Sequence, residues 1–347
     1  MKKVLLVTEY LNPPYDEGIK KTVYNLFLNL DDTYNLQVIC RHGFKKDNIS
    51  IVNANVLFFS RKVKNEIKKF DPEILLYFPF QSSTFASYLR LKVLSFFSKT
   101  NRVGLIALQP KPLKKWQETT VKFLKPNFAL TPSPTLHNFW NRIGCNNSLI
   151  PLLTDLTVFK PLNSIKEKFR LREKYELPKN AFIISHMGHL NKGRNLETLV
   201  PLQKLGYQMV IVGSSSTPSD ALGQESLKKQ LLQEGIIIVD RYIEHIEEIY
   251  QLSDAYIFPV IEENSSIGMP LSVLEARGCG IPVIMTDYGS IKFFLKDDYN
   301  GIYYSKTDNF INDAAKIRDN LNKKYTKTNV SQLNKLFYDI IHKKINS

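Results

Sequence analysis

Ile74-Leu75-Leu76-Tyr77-Phe78 runs apolar without a polar break, and the same texture returns at Val4-Val7, Ala255-Phe258 and Ile281-Met285. A strand with one wet face alternates in polarity, so such runs belong to strands covered on both faces, as in parallel sheets flanked by helices. Between them lie segments of helical composition, and the alternation predicts an α/β chain. In the first half, strands are expected at Val4-Val7, Gln37-Cys40, Asn55-Phe59, Ile74-Phe78, Val103-Leu108 and Phe128-Leu130, with helices at Thr22-Leu30 and Phe85-Phe97. A second series has strands at Phe182-Met187, Gln208-Val212, Ile236-Val239, Ala255-Phe258 and Ile281-Met285. Its helices are expected at Leu196-Lys204, kinked by Pro201, and at Leu222-Gln233, Ile246-Leu252 and Pro270-Arg277.

The 347 residues exceed the roughly 250 to 300 at which a single core stops growing. The texture turns to Thr, Asp, Pro and Lys between Leu152 and Pro178, which reads as the connection between two domains. The organisation expected is therefore two Rossmann-like, doubly wound domains facing a cleft, residues 1–160 and 161–320. Residues 321–347 add a closing helix, Val330-Ile345, that packs back on the first domain. Ligands in such sheets bind outside the carboxyl ends of the strands.

The opening apolar run, Val4 to Val7, is too short for the core of a signal peptide, and no stretch approaches a membrane span. Cys40, Cys145 and Cys279 are odd in number and far apart, which supports neither a disulfide framework nor a zinc site and fits a reducing cytoplasm. The six histidines form no close ligand pair, and nothing calls for a metal or a tightly bound cofactor. A formal charge of +14 suits an anionic partner: a nucleotide, an acidic membrane face or nucleic acid. No recognition helix or aromatic-basic module stands out, which argues against nucleic acid.

Three loops of the second half fall where strand ends should lie. In "HMGHLNKGRNLETL", glycines permit a close turn while His189, Lys192 and Arg194 cluster before a helix, an arrangement that fits a diphosphate or is simply an exposed basic loop. "VIVGSSSTPSD" offers Gly213 and three serines, which are usually only a turn. "SDAYIFPVIEEN" ends in Glu262 and Glu263, two carboxylates able to engage sugar hydroxyls or merely to sit in solvent. The helix that follows carries Glu275 one turn inside its start. The Leu271 and Ser272 amides there could receive a phosphate and Glu275 a sugar hydroxyl; alternatively, Glu275 complements the helix dipole from a partly solvated face.

In the first half, Gly18 between strand and helix either lets backbone approach a ligand or makes the turn. Gln109 stands at another strand end. "SYLRLKVLSFFSK" interleaves Arg90, Lys92 and Lys99 with Leu89, Val93, Phe96 and Phe97, and "RKVKNEIKKF" and "KPLKKW" add basic clusters. These fit a face for anionic lipid, or core-facing helices with solvated lysines. There is no GxGxxG after the first strand, and no GxxxxGK[ST], GxSxG or HExxH.

Taken in order, "GHLNKG", "VIVG", "YQLSDAYIFPV", "GMPLSVLEARGCGIPVIMTDYGS" and "DYNG" resemble the retaining glycosyltransferases of family 4, the glycosyl transferases group 1 with the GT-B fold. The resemblance covers almost the whole chain. It is strongest from Gly188 to Gly301, and in the first half "LIPLLTDLTVFKP" fits through Asp155 and Phe159-Lys160-Pro161. It implies a UDP- or GDP-type sugar donor held by the second domain, a glycan, lipid-linked or small-molecule acceptor held by the first, and transfer with retention. It assigns Lys192 to the diphosphate, with Arg194 compensating for the arginine that His189 replaces, Glu275 to the ribose, the neighbourhood of Tyr242 to the base, and Gly18 to the diphosphate or donor sugar. The chain departs from the pattern at Ile267, where the first of two glutamates should stand, so the sugar-contacting carboxylate is either missing or supplied by Glu262 or Glu263 after a local shift. It departs again at Pro270, leaving Leu271 and Ser272 to carry the phosphate contact, at His189 in place of an arginine, and at Gln109 in place of a histidine. A sugar-nucleotide epimerase and a non-catalytic binding or scaffold protein share the same expected fold.

Overall fold

The computed structural model describes residues 1–15, 17–213, 221–262, 265–295, 301–320 and 328–347. The chain forms two compact units. The first is Met1–Leu153 with Ile267–Met269 and Leu336–Ser347; the second is Thr154–Ser266 with Pro270–Lys335.

The first unit is built on β1 (Lys3–Leu11), β2 (Asn35–Gly43), β3 (Ile49–Ile51), β4 (Ile74–Phe78), β5 (Val103–Ile106), β6 (Phe128–Thr131) and β7 (Asn147–Leu149). They lie in the order β3-β2-β1-β4-β5-β6-β7, every pair parallel. The second unit has β8 (Ile183–Gly188), β9 (Gln208–Gly213), β10 (Ile237–Val239), β11 (Ala255–Phe258), β12 (Val283–Met285) and β13 (Ile302–Tyr304). Their order is β10-β9-β8-β11-β12-β13, again all parallel. Both sheets are doubly wound, and the unbroken apolar runs explain why: Leu5, Val7, Leu75 and Tyr77 bury fully against one helical layer of the first unit, and Ile184, Ile211, Ile257 and Ile284 do so in the second.

One expected strand is absent. Asn55-Phe59 is not a strand, because the Asn55 side-chain oxygen accepts from the Leu57 and Phe59 amides and Phe58 takes a left-handed φ of 59°. A side chain that satisfies backbone donors locally removes them from a ladder, and β3 forms at Ile49–Ile51 instead. The stretch Leu152–Pro178 is more than a connection. It contains the helix Ile165–Lys174, capped by Ser164, whose Arg172 is buried on the Leu252, Lys179 and Ala181 carbonyls and on Asp254 at 2.7 Å. At Pro201 the helix divides into a 3₁₀ turn, Leu196–Leu199, and a short helix, Val200–Lys204, that carries the proline in its first turn.

The helix Leu271–Gly278 sets the frame of the site described next. Pro270 lies just before its first residue, in extended backbone. At the other end Gly280, at φ +76°, closes the helix: its amide reaches the Arg277 carbonyl and the Ile281 amide reaches Ala276, both at 3.0 Å. A β-carbon at Gly280 is strained in that region, so Gly280→Ala should lower stability by about 1 kcal/mol in urea titrations.

Candidate functional site

In the second sheet the chain order reverses between β8 and β11, and the crevice outside their carboxyl ends is where such sheets bind ligands. β8 ends at Gly188 with φ +155°, a conformation that residues with a side chain rarely adopt. A β-carbon there would stand 3.0 Å from an Arg194 guanidinium nitrogen and 3.3 Å from His186 Nε2. Gly188 is thus a bare floor beneath the arginine.

The turn that delivers Arg194 is the 3₁₀ stretch Lys192–Arg194, closed by Asn195 in left-handed backbone. Asn195 donates to the Pro259 carbonyl at 3.3 Å, which ties the turn to the end of β11. A β-carbon on Gly193 would lie 2.2 Å from Ser265 Oγ and 3.0 Å from Glu262 Oε2, so two loops from neighbouring strands meet through a residue without a side chain. The second loop is fixed from β12: the Thr286 hydroxyl donates to the Val260 carbonyl, and the Tyr288 hydroxyl donates to Ser266 O at 2.7 Å while accepting from its amide.

Arg194 is only 8% exposed and lies over the Phe258 ring at 6.0 Å. Among the described residues no carboxylate pairs with it, and its Nε has no hydrogen-bond partner. Burial lowers its pKa, but a guanidinium keeps its charge in a protein. Below it, fully buried His186 shares a 2.9 Å hydrogen bond with the Ile257 carbonyl through Nδ1; since a carbonyl only accepts, the proton sits on Nδ1. Nε2 is left as an unpartnered acceptor. Burial first, then the Arg194 charge, push the His186 pKa down to about 3, so the ring is neutral at physiological pH. The Asn191 side-chain oxygen on the same turn is also buried and unpartnered. Lys192 is exposed and has no ion pair among the described residues.

Glu275 is 4% exposed, which removes the reading of a partly solvated dipole partner. Tyr250, from the helix Ile246–Leu252, donates its hydroxyl to Glu275 Oε2 at 2.8 Å. Burial, with the glutamate charge second, holds that phenol well above its ordinary range, which fixes it as a donor.

His189, Lys192 and Arg194 therefore stand together on one loop, and Leu271, Ser272 and Glu275 together on the helix after β11. Tyr242, 58% exposed, follows edge strand β10, with β9 between that strand and β8. Gly18 and Gln109 belong to the first unit. Gly18 opens the helix Gly18–Thr33, and the Gln109 backbone is clamped by the Ser82 and Ser83 hydroxyls, at 2.6 and 3.0 Å to its carbonyl. Glu263, the serines 214–216 and most of "DYNG" lie outside the described residues. His186 and Tyr250 were not foreseen. His186 sits in an apolar run, where the one signal was a histidine two residues before the glycine that ends a strand, and Tyr250 sits in a mixed helix that gives none.

Residues 186–321 match the family model described as glycosyl transferases group 1. Among curated proteins the chain is 28% identical over 187 residues to the UDP-Gal:alpha-D-GlcNAc-diphosphoundecaprenol alpha-1,3-galactosyltransferase of Escherichia coli, covering 50% of this chain and 45% of that one. It is 23% identical over 210 residues to the alpha-galactosylglucosyldiacylglycerol synthase of Streptococcus pneumoniae, covering 55% and 54%. The chain thus spans about half the length of the curated relatives it matches. Among solved structures it superposes on the Anabaena protein HepE, crystallised with UDP and glucose, with a TM-score of 0.77 at 13% identity over all of both chains. The fold is that of the GT-B glycosyltransferases.

Proposed function

We propose that the protein is a glycosyltransferase that moves a sugar from a nucleoside diphosphate, by preference UDP, to a hydroxyl of a lipid-linked glycan or glycolipid, with retention at the anomeric carbon. The observation that carries the reading is the buried Arg194 guanidinium, without a carboxylate among the described residues, over the glycine floor of the second sheet's switch point. A cation taken out of water unpaired is costly, and a diphosphate seated between it, Lys192 and the Leu271 and Ser272 amides would repay that cost. Glu275 then accepts from a ribose hydroxyl while keeping Tyr250, and Glu262 takes the donor-sugar role left open by Ile267. The galactosyltransferase relative supports UDP as carrier, and both relatives named above act on lipid-borne sugars by their names.

In the reaction, the acceptor oxygen bonds to the anomeric carbon on the face from which the diphosphate oxygen departs, and the acceptor proton passes to the diphosphate. The negative charge growing on the leaving oxygens is what Arg194, Lys192 and the helix start stabilise.

The first test is a thermal-shift screen of UDP, GDP and ADP on the wild type and on Glu275→Gln, which keeps an acceptor for Tyr250. We expect stabilisation by UDP, with affinity weakened about tenfold in the variant, the loss of one charge-assisted hydrogen bond. Stabilisation by no nucleotide would refute the reading, and UDP binding with product formed in the absence of any acceptor would mark an epimerase.

A further inference from the structure

We infer that the outer face of three adjacent helices in the first unit docks on an anionic lipid surface. The helices Arg61–Phe70, Phe85–Ser98 and Lys115–Leu124 follow β3, β4 and β5 and pack side by side. Right-handed crossovers in one direction along the sheet put them on one layer. Their inner stripe is accounted for: Val63, Ile67, Tyr88, Leu91, Leu94 and Val121 are buried in the first unit's core.

The outer side is where an amphipathic helix should be polar, and here it is not. Phe96 is 76% exposed and Phe123 79%, and Phe59 and Trp116 are also more than half exposed. Around them stand the exposed Arg61, Lys62, Lys68, Lys69, Lys92, Lys99, Lys114, Lys115 and Lys122. These helices carry two acidic residues, Glu66 and Glu118. Glu66 accepts from Ser50 at 2.8 Å, and Glu118 lies 3.4 Å from the exposed Arg142, so neither neutralises the lysines. Lys64 lies over the Phe97 ring at 6.0 Å, and Phe97 packs on Phe59 and on Phe96, joining cation and aromatic in one patch.

Single exposed phenylalanines are ordinary, and so are surface lysines. Several aromatics ringed by unneutralised cations on one helical layer have a specific use: the rings enter the boundary of the acyl chains while the ammonium groups stay among anionic headgroups. Charge complementarity selects the occupant, since a second copy of this +14 chain would set cation against cation. No helix among the described residues is long and apolar enough to cross a membrane, so the contact is peripheral.

The test is co-sedimentation of the full chain with phosphatidylcholine vesicles, with and without phosphatidylglycerol, at low and high salt. Binding is expected only with phosphatidylglycerol and should fall as salt rises. Phe96→Ser with Phe123→Ser, and separately Lys68→Glu with Lys69→Glu, should each weaken it roughly tenfold or more, with circular dichroism and melting unchanged because all four side chains are exposed. Equal binding to both vesicle types, no binding, or variants that pellet like the wild type would overturn the inference. Sedimentation as a dimer that the Phe96 and Phe123 changes dissolve would overturn it in favour of self-association. Vesicle binding needs no nucleotide, so its failure leaves the transfer reading standing, and failure of that reading leaves docking standing.

Discussion

Arg194→Met should slow transfer by about 10²- to 10³-fold while raising the melting temperature of the nucleotide-free protein, two effects of opposite sign from one substitution. The rise follows from burial. In the absence of ligand the guanidinium has left water for the Phe258 ring and the Gly188 backbone, with no carboxylate among the described residues to repay the cost. A methionine of similar length fills the same space without a charge, and removing an uncompensated buried ion should return about 1 kcal/mol or more. In a chain of 347 residues that is roughly 1 to 2 °C in melting temperature. The fall in rate follows from the same geometry, because a desolvated, immobile cation is already in place when charge develops on a departing diphosphate. Activity and calorimetry on one preparation decide it. A variant both less active and less stable would make Arg194 a structural residue, and a variant with unchanged turnover would remove it from the chemistry. Lys192, exposed on the same turn, should cost only about tenfold on truncation to alanine, since a solvated charge is screened.

The sequence made the two sheets legible because parallel strands leave their period in the composition: Ile74-Phe78 and Ala255-Phe258 occupy the same residues in the structure as in the apolar pattern. It misled where one side chain outweighed that pattern, at Asn55, and where a strand was too short to leave a run, as at β7 and β13. Within the site, the shared loop of His189, Lys192 and Arg194 was readable because an apolar run ends there in a glycine, which places the basic residues at a strand end. What could not be read was the inequality between its cations. Lys192 is solvated and Arg194 buried, a difference set by Gly188, Gly193 and the loop after β11 rather than by residue type. The Tyr250 contact to Glu275 was hidden for a related reason: it joins two helices separated by a strand, and while the helix start marks Glu275, nothing local marks Tyr250 as its partner.

Between about pH 7.5 and about pH 4.5 the wild type should lose about 3 kcal/mol of stability through His186 alone. The ring ordinarily titrates near 6.5 and is held down to about 3 in the folded protein, with the Ile257 carbonyl on one side, Arg194 on the other and the Tyr256 ring stacked at 6.2 Å. In that window the unfolded chain binds the proton and the native state does not, so stability falls as pH falls. Above the ordinary value both states are neutral and the contribution to the slope vanishes. Carboxylates titrate in the same range, so the comparison must be with His186→Asn, whose amide can still donate to the Ile257 carbonyl but cannot take a proton. That variant leaves a small void and should be less stable at neutral pH. The gap between the two proteins should then close by about 3 kcal/mol on acidification. A gap that stays constant in denaturant titrations at both ends would show that His186 does not stay neutral beneath Arg194. A bound diphosphate should soften the effect by offsetting the arginine's field, and so nucleotide should flatten the acid limb of the wild type while leaving the variant's unchanged.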